Sequence, residues 1–193
     1  MYFRQIIMTT QLDKTVLQYD SAFSRCKQVF LQKTKDYGTS WRILRARSIT
    51  DQLYIKAKRI RTIDETGVQK VGDSIEDEFI GCVNYSIIGL IQFELEGNKN
   101  IPLELDAELA EKYFDQYYKE IKDLMLAKNH DYGEAWRDMR ISSYTDMILA
   151  RLHRIKQIED NEGQTSVSEG IDANYKDITN YAIFALIKID EEK

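Results

Sequence analysis

The chain has 193 residues, 43% apolar and 31% charged, with 27 Lys and Arg against 32 Asp and Glu. That apolar share and a net charge of only -5 exclude a disordered chain, and no apolar run approaches the roughly 18 residues of a membrane span. The acidic balance argues against a general nucleic-acid binder, and the first ten residues have neither the apolar core nor the cleavage site of a secretory signal.

With one proline and nine glycines, long periodic stretches run unbroken and read as helix. A first helix is expected over Thr15 to Lys35, with Val16, Phe23, Cys26 and Phe30 on one stripe and Gly38 at its end. Ser48 followed by Asp51 resembles a capping box opening a second helix that carries Leu53, Ala57 and Ile60. Ser74 with Asp77 opens a third, with Phe79, Val83, Ile87 and Leu90. A polar stretch punctuated by Gly97 and Pro102 follows. The fourth helix carries Leu109, Tyr113, Tyr117, Ile121 and Leu124, and Gly133 closes it. Ser143 with Asp146 opens a fifth, with Ile148, Leu152 and Ile155, and a sixth carries Tyr175, Ile178, Ala182 and Ala185.

The halves echo each other. DYGTSWRILRARSITD at 36–51 and DYGEAWRDMRISSYTD at 131–146 match at nine of 16 positions with an offset of 95. Arg59 and Arg154 continue the match, and after a one-residue slip Asn84-Tyr85 answers Asn180-Tyr181. The expected fold is all-α: a compact six-helix bundle of two pseudo-twofold three-helix repeats, 13–95 and 106–191, joined by a linker over 96–105 into one domain. Ile87, Ile88, Leu90 and Ile91 cannot all face one small core, so the repeats should pack face to face as an isologous pseudo-dimer, which leaves room for a further homo-oligomer. Cys26 and Cys82 form no CxxC or zinc spacing, so they read as buried free thiols in a cytoplasmic protein.

Phosphate-loop, dinucleotide, zinc-protease and serine-hydrolase motifs are absent. His130 and His153 align with Lys35 and Lys58, which excludes a catalytic histidine shared by both halves. No catalytic residue is assigned. Cations gather twice instead. Arg42, Arg45, Lys56 and Arg59 recur as Arg137, Arg140, Arg151 and Arg154, close to Trp41, Tyr37, Trp136 and Tyr132. Guanidinium and ammonium groups beside aromatic rings suit a nucleotide, with phosphates on the cations and the base on a ring. The alternative is a solvated basic face that docks an acidic partner protein or nucleic acid. For DYGxxW the structural alternative is a turn plugged by an indole. Candidate metal ligands are Asp36, Asp51, Glu78, Asp131, Asp146, Asp177 and Asn180, since clustered carboxylates beside a basic site suit Mg²⁺. Acids at helix N-termini also simply complement the helix dipole.

The run DYGxxW, then D-x(4)-K/R-x-x-R-I, then NYxI resembles the nucleotide-modification-associated domain 1 family in a tandem-duplicated form. Its helical pattern is similar, more distantly, to the MazG-type all-α pyrophosphohydrolases, which use ExxE and ExxD pairs to hold Mg²⁺ and cleave nucleoside triphosphates. The resemblance implies a nucleotide-binding protein, with Mg²⁺-dependent hydrolysis as its enzymatic form. The chain departs from that enzyme pattern: Lys56-x-x-Arg59 and Arg151-x-x-Arg154 stand where acids are wanted, and only Asp177-x-x-Asn180 approaches an acidic pair. Gly81 opposite Asp177 suggests that the first repeat lost its ligands and serves as scaffold.

Overall fold

The structure is a computed structural model describing residues 2–193 other than 97, 99 and 168, with side chains described from residue 12 onward. Its helices are α1 (Tyr2–Tyr37), α2 (Ala46–Thr66), α3 (Ile75–Leu95), α4 (Ala107–Tyr132), α5 (Ile141–Asp160) and α6 (Ile171–Glu191), with 3-10 turns over Ser40–Ile43 and Ala135–Asp138. No strand occurs among the described residues. No described helix is long and apolar enough to cross a membrane. The chain is thus an all-α bundle, and the order helix, 3-10 turn, helix, helix occurs twice.

Local signals place most helix ends. Gly38 and Gly133 take left-handed backbone at φ 65° and 60°, and each donates its N–H to a carbonyl one turn back. Ser74 and Asp77 form the expected capping box at the start of α3. Three expectations need correction. α1 starts well before Thr15 and buries Tyr19 with Phe23, Cys26 and Phe30, while Val16 is only half-buried. The α4 stripe is Ala110, Phe114, Tyr117, Ile121 and Met125, so Leu109, Tyr113 and Leu124 sit at its margins. Ser48 and Ser143 cap nothing: the N-cap residues of α2 and α5 are Arg45 and Arg140, whose side chains make no cap. Gly97, read as linker punctuation, lies outside the described residues.

α3 and α6 form the centre and pack on each other, while α2 pairs with α3, α5 with α6, and α2 with α5. α1 also reaches α6, and α4 reaches α3. Ile87, Ile88, Leu90 and Ile91 are all buried, each worth roughly 1.5–3 kcal/mol of transfer free energy. Their spread around α3 is satisfied because neighbours cover it on several sides. Close approach also requires Gly89, where a Cβ would meet the Tyr175 ring at 2.9 Å. Aromatic rings join α1 to α4: Phe23 stacks on Tyr118 at 3.7 Å and Phe30 on Phe114 at 4.3 Å. Cys26 and Cys82 are buried and unpaired, and burial pushes both thiols up to about 12.

The repeated Asn-Tyr motif has a packing role in both halves. The Asn84 amide donates to the Cys26 carbonyl at 3.0 Å, tying α3 to α1. Asn180 does the same to Ile121 at 3.5 Å, tying α6 to α4.

Candidate functional site

A cavity of about 460 Å³ opens between the end of α1, the first 3-10 turn and the first half of α3. The Gly38 turn brings Trp41 back beside the last turns of α1, which contribute Lys33, Thr34 and Tyr37. Lys56 reaches in from α2, and Glu78, Gly81, Asn84 and Tyr85 line the α3 wall. These α3 residues recur at three- and four-residue spacing, so they share one helix face.

The charge in this cavity is organised around Glu78. Its buried carboxylate accepts from Lys56 Nζ at 3.2 Å and from the Arg59 guanidinium. Arg59 is further fixed by the carbonyls of Val71 and Asp73, at 3.2 and 2.6 Å. Asp77 is committed to Ser74, whose hydroxyl and backbone N–H hold its carboxyl below the usual range. Lys33 is exposed and has no partner among the described residues. Tyr37 stands exposed at the mouth; partial burial, Tyr85 and Asp36 raise its phenol. Two buried wall atoms, Trp41 Nε1 and Asn84 Oδ1, find no hydrogen-bond partner among the described residues. Asn84 lacks one for a legible reason. Its counterpart Asn180 accepts from the Tyr19 hydroxyl at 2.7 Å, but the residue answering Tyr19 at the offset of 95 is Phe114, which has no hydroxyl.

The second half fills the equivalent space from within. Lys128 and Arg151, which answer Lys33 and Lys56, hold the Asp177 carboxylate at 2.5 and 2.7 Å. Trp136 stacks on the Phe184 ring at 4.3 Å, and the Arg137 guanidinium lies over the indole at 4.3 Å. Ile88 answers Phe184 in the first half. The cavity thus lies in the first repeat, which the sequence pattern marks as scaffold, whereas Asp177 fills the corresponding space in the second.

Of the residues read from sequence as binding a nucleotide, the structure brings together Tyr37, Trp41 and Lys56, with Arg59 behind them through Glu78. It does not gather the remaining arginines. Arg42 is buried against Gln92, which in turn donates to the Arg42 and Leu44 carbonyls at 3.3 and 3.0 Å. Burial lowers the Arg42 guanidinium's pKa. Arg137 joins α1 to the second 3-10 turn through Thr15, Gln18 and Glu134. Arg45 and Arg140 stand exposed at helix starts, and Arg154 and Tyr132 are also exposed. The sequence pattern missed Lys33, although Lys128 answers it at the same offset of 95 just ahead of the repeated DYG.

The candidate metal ligands are scattered. Asp51 pairs with Lys156 at 2.7 Å and Asp146 with Arg61 at 3.5 Å, two equivalent bridges across the α2–α5 crossing. Asp131 meets His130, Asn180 meets Tyr19, and Asp36 is exposed. Glu78 and Asp177 are each taken by two cations. No three His, Cys, Asp or Glu side chains among the described residues are grouped to hold a metal. The described residues therefore do not fit a Mg²⁺ centre.

The sequence model of a family described as nucleotide modification associated domain 1 matches the chain twice, over residues 33–93 and 128–189, well over half its length. Comparison with curated proteins and with solved structures found no match.

Proposed function

The chain belongs to the nucleotide modification associated domain 1 family, and from that membership we propose that it binds a nucleotide in the cavity beside Trp41. The observation that carries this reading is the wall itself: Lys33, which has no partner among the described residues, a second lysine, and the buried Asn84 Oδ1, likewise without a hydrogen-bond partner among the described residues, around 460 Å³ of space. That volume lies within the roughly 300–1,000 Å³ of small-molecule pockets. An unmet amide oxygen costs about 1–3 kcal/mol when buried, and a base edge offers donors to answer it. Tyr37 and Tyr85 offer ring faces, while Trp41 forms the back wall. Lys33 and Lys56 meet the anionic part of the guest.

Binding without turnover is the form this reading takes, because the buried carboxylates Glu78 and Asp177 are each held by two cations. Two buried free thiols support a reducing, cytoplasmic setting for it. The alternative of a basic docking face loses support at the α2–α5 crossing, where Asp51–Lys156 and Asp146–Arg61 pair internally.

Calorimetric titration of common and modified nucleosides and nucleotides tests the proposal. One class should bind, and Lys33→Glu should weaken it tenfold or more. Absence of binding across the whole panel refutes it.

A further inference from the structure

The second half of the chain shows what the first half lacks. Lys128 and Arg151 close on one carboxylate, that of Asp177, which is 3% exposed. Their counterparts Lys33 and Lys56 line one cavity with Gly81, where no carboxylate exists. There Lys56 turns to Glu78 instead, and Lys33 is left without an anion among the described residues. Lys33 and Lys56 line that space together with Glu78, Asp73 and the capped Asp77, and Arg59 stands behind Glu78.

We infer that the guest of the first repeat carries a single phosphomonoester, held between Lys33 and Lys56 over Gly81, and that Asp177 is its built-in substitute in the second repeat. This rests on the nucleotide reading above and narrows it to nucleoside monophosphates, one per chain. A phosphomonoester carries about -1.5 to -2 charges near neutral pH, enough to engage both lysines at once. A triphosphate brings further negative charge beside Asp73 and Asp77, and no grouped metal ligands among the described residues offset it. Like charges brought together in one cavity oppose binding.

The test uses the four common 2′-deoxynucleosides, their 5′-monophosphates and their 5′-triphosphates, titrated without metal into the full chain. The monophosphate of the favoured base should bind at least tenfold tighter than its nucleoside and several-fold tighter than its triphosphate, with one site per chain. Gly81→Asp supplies the substitute carboxylate and should erase the phosphate's advantage. Lys33→Gln, at an exposed position, should do so independently of any folding defect in the first variant. A triphosphate that binds tightest, two sites per chain, or an advantage surviving in both variants overturns the inference. Nucleosides binding with no phosphate preference overturn it while leaving the nucleotide reading intact. If none of the compounds binds, both fall.

Discussion

Lys56 occupies the space that any side chain on Gly81 would need: a Cβ built there comes 2.6 Å from Lys56 Cε and 2.9 Å from Nζ. A glycine inside a helix ordinarily costs roughly 1 kcal/mol relative to alanine. Here it lets a cation lie flat against α3 and reach Glu78. Gly81→Ala should leave the melting temperature unchanged or slightly raised, because helix propensity offsets a clash with a flexible chain end. It should weaken the nucleotide several-fold, because Lys56 is displaced. Thermal melts paired with titration check this, and a lower melting temperature with undiminished affinity contradicts it.

Asp177 should behave as a structural carboxylate. Asp177→Ala leaves Lys128 and Arg151 without their anion and should cost about 2–3 kcal/mol. The lower end is expected, since Lys128 is half exposed and water can take over its charge. Urea denaturation measures this; a loss below about 0.5 kcal/mol would show the pair to be idle.

Asn180 should matter more than Asn84. Both amides donate across to a neighbouring helix, but Asn180 also accepts from the fully buried Tyr19 hydroxyl. Asn180→Ala should exceed Asn84→Ala by about 1 kcal/mol or more. Tyr19→Phe should remove most of that excess in a double-mutant cycle. Equal costs with no coupling to Tyr19 would contradict the assignment.

Glu159 gives a pH signature of unusual sign. Burial raises its carboxyl above 4.5, although it accepts from the Thr50 hydroxyl at 2.7 Å and Arg47 lies nearby. A carboxyl whose folded pKa exceeds the unfolded value favours folding most below the unfolded pKa, and that contribution is lost as pH rises through the folded pKa. Glu159→Gln keeps an acceptor for Thr50 without the charge. It should raise stability at pH 7 by roughly 1 kcal/mol or less, and the gain should vanish near pH 4. Asp77 and Glu191 have the opposite slope: their partners depress both, so their contribution is present above their unfolded values and lost as pH falls.

The helices were legible because their causes are local. Gly38, Gly133 and the Ser74–Asp77 box act within one turn, and the apolar periods read directly. The α4 stripe slipped by one residue because Leu109 and Tyr113 are as apolar as Ala110 and Phe114, and only packing against α1 chooses between them. The site was half legible. Tyr37, Trp41 and Lys56 stood out in the repeat, but repetition also flagged Arg42 and Arg137, which both halves keep for packing. What decides the site is where the halves differ: Gly81 against Asp177, Ile88 against Phe184, Phe114 against Tyr19. A search for shared residues passes over those positions.

The apolar girdle of α3 carries a thermodynamic consequence. With Ile87, Ile88, Leu90 and Ile91 spent on several neighbours at once, neither end of the molecule has a private interior to retreat to. Melting should then be a single event, and a guest lodged at one end should slow amide exchange at the other.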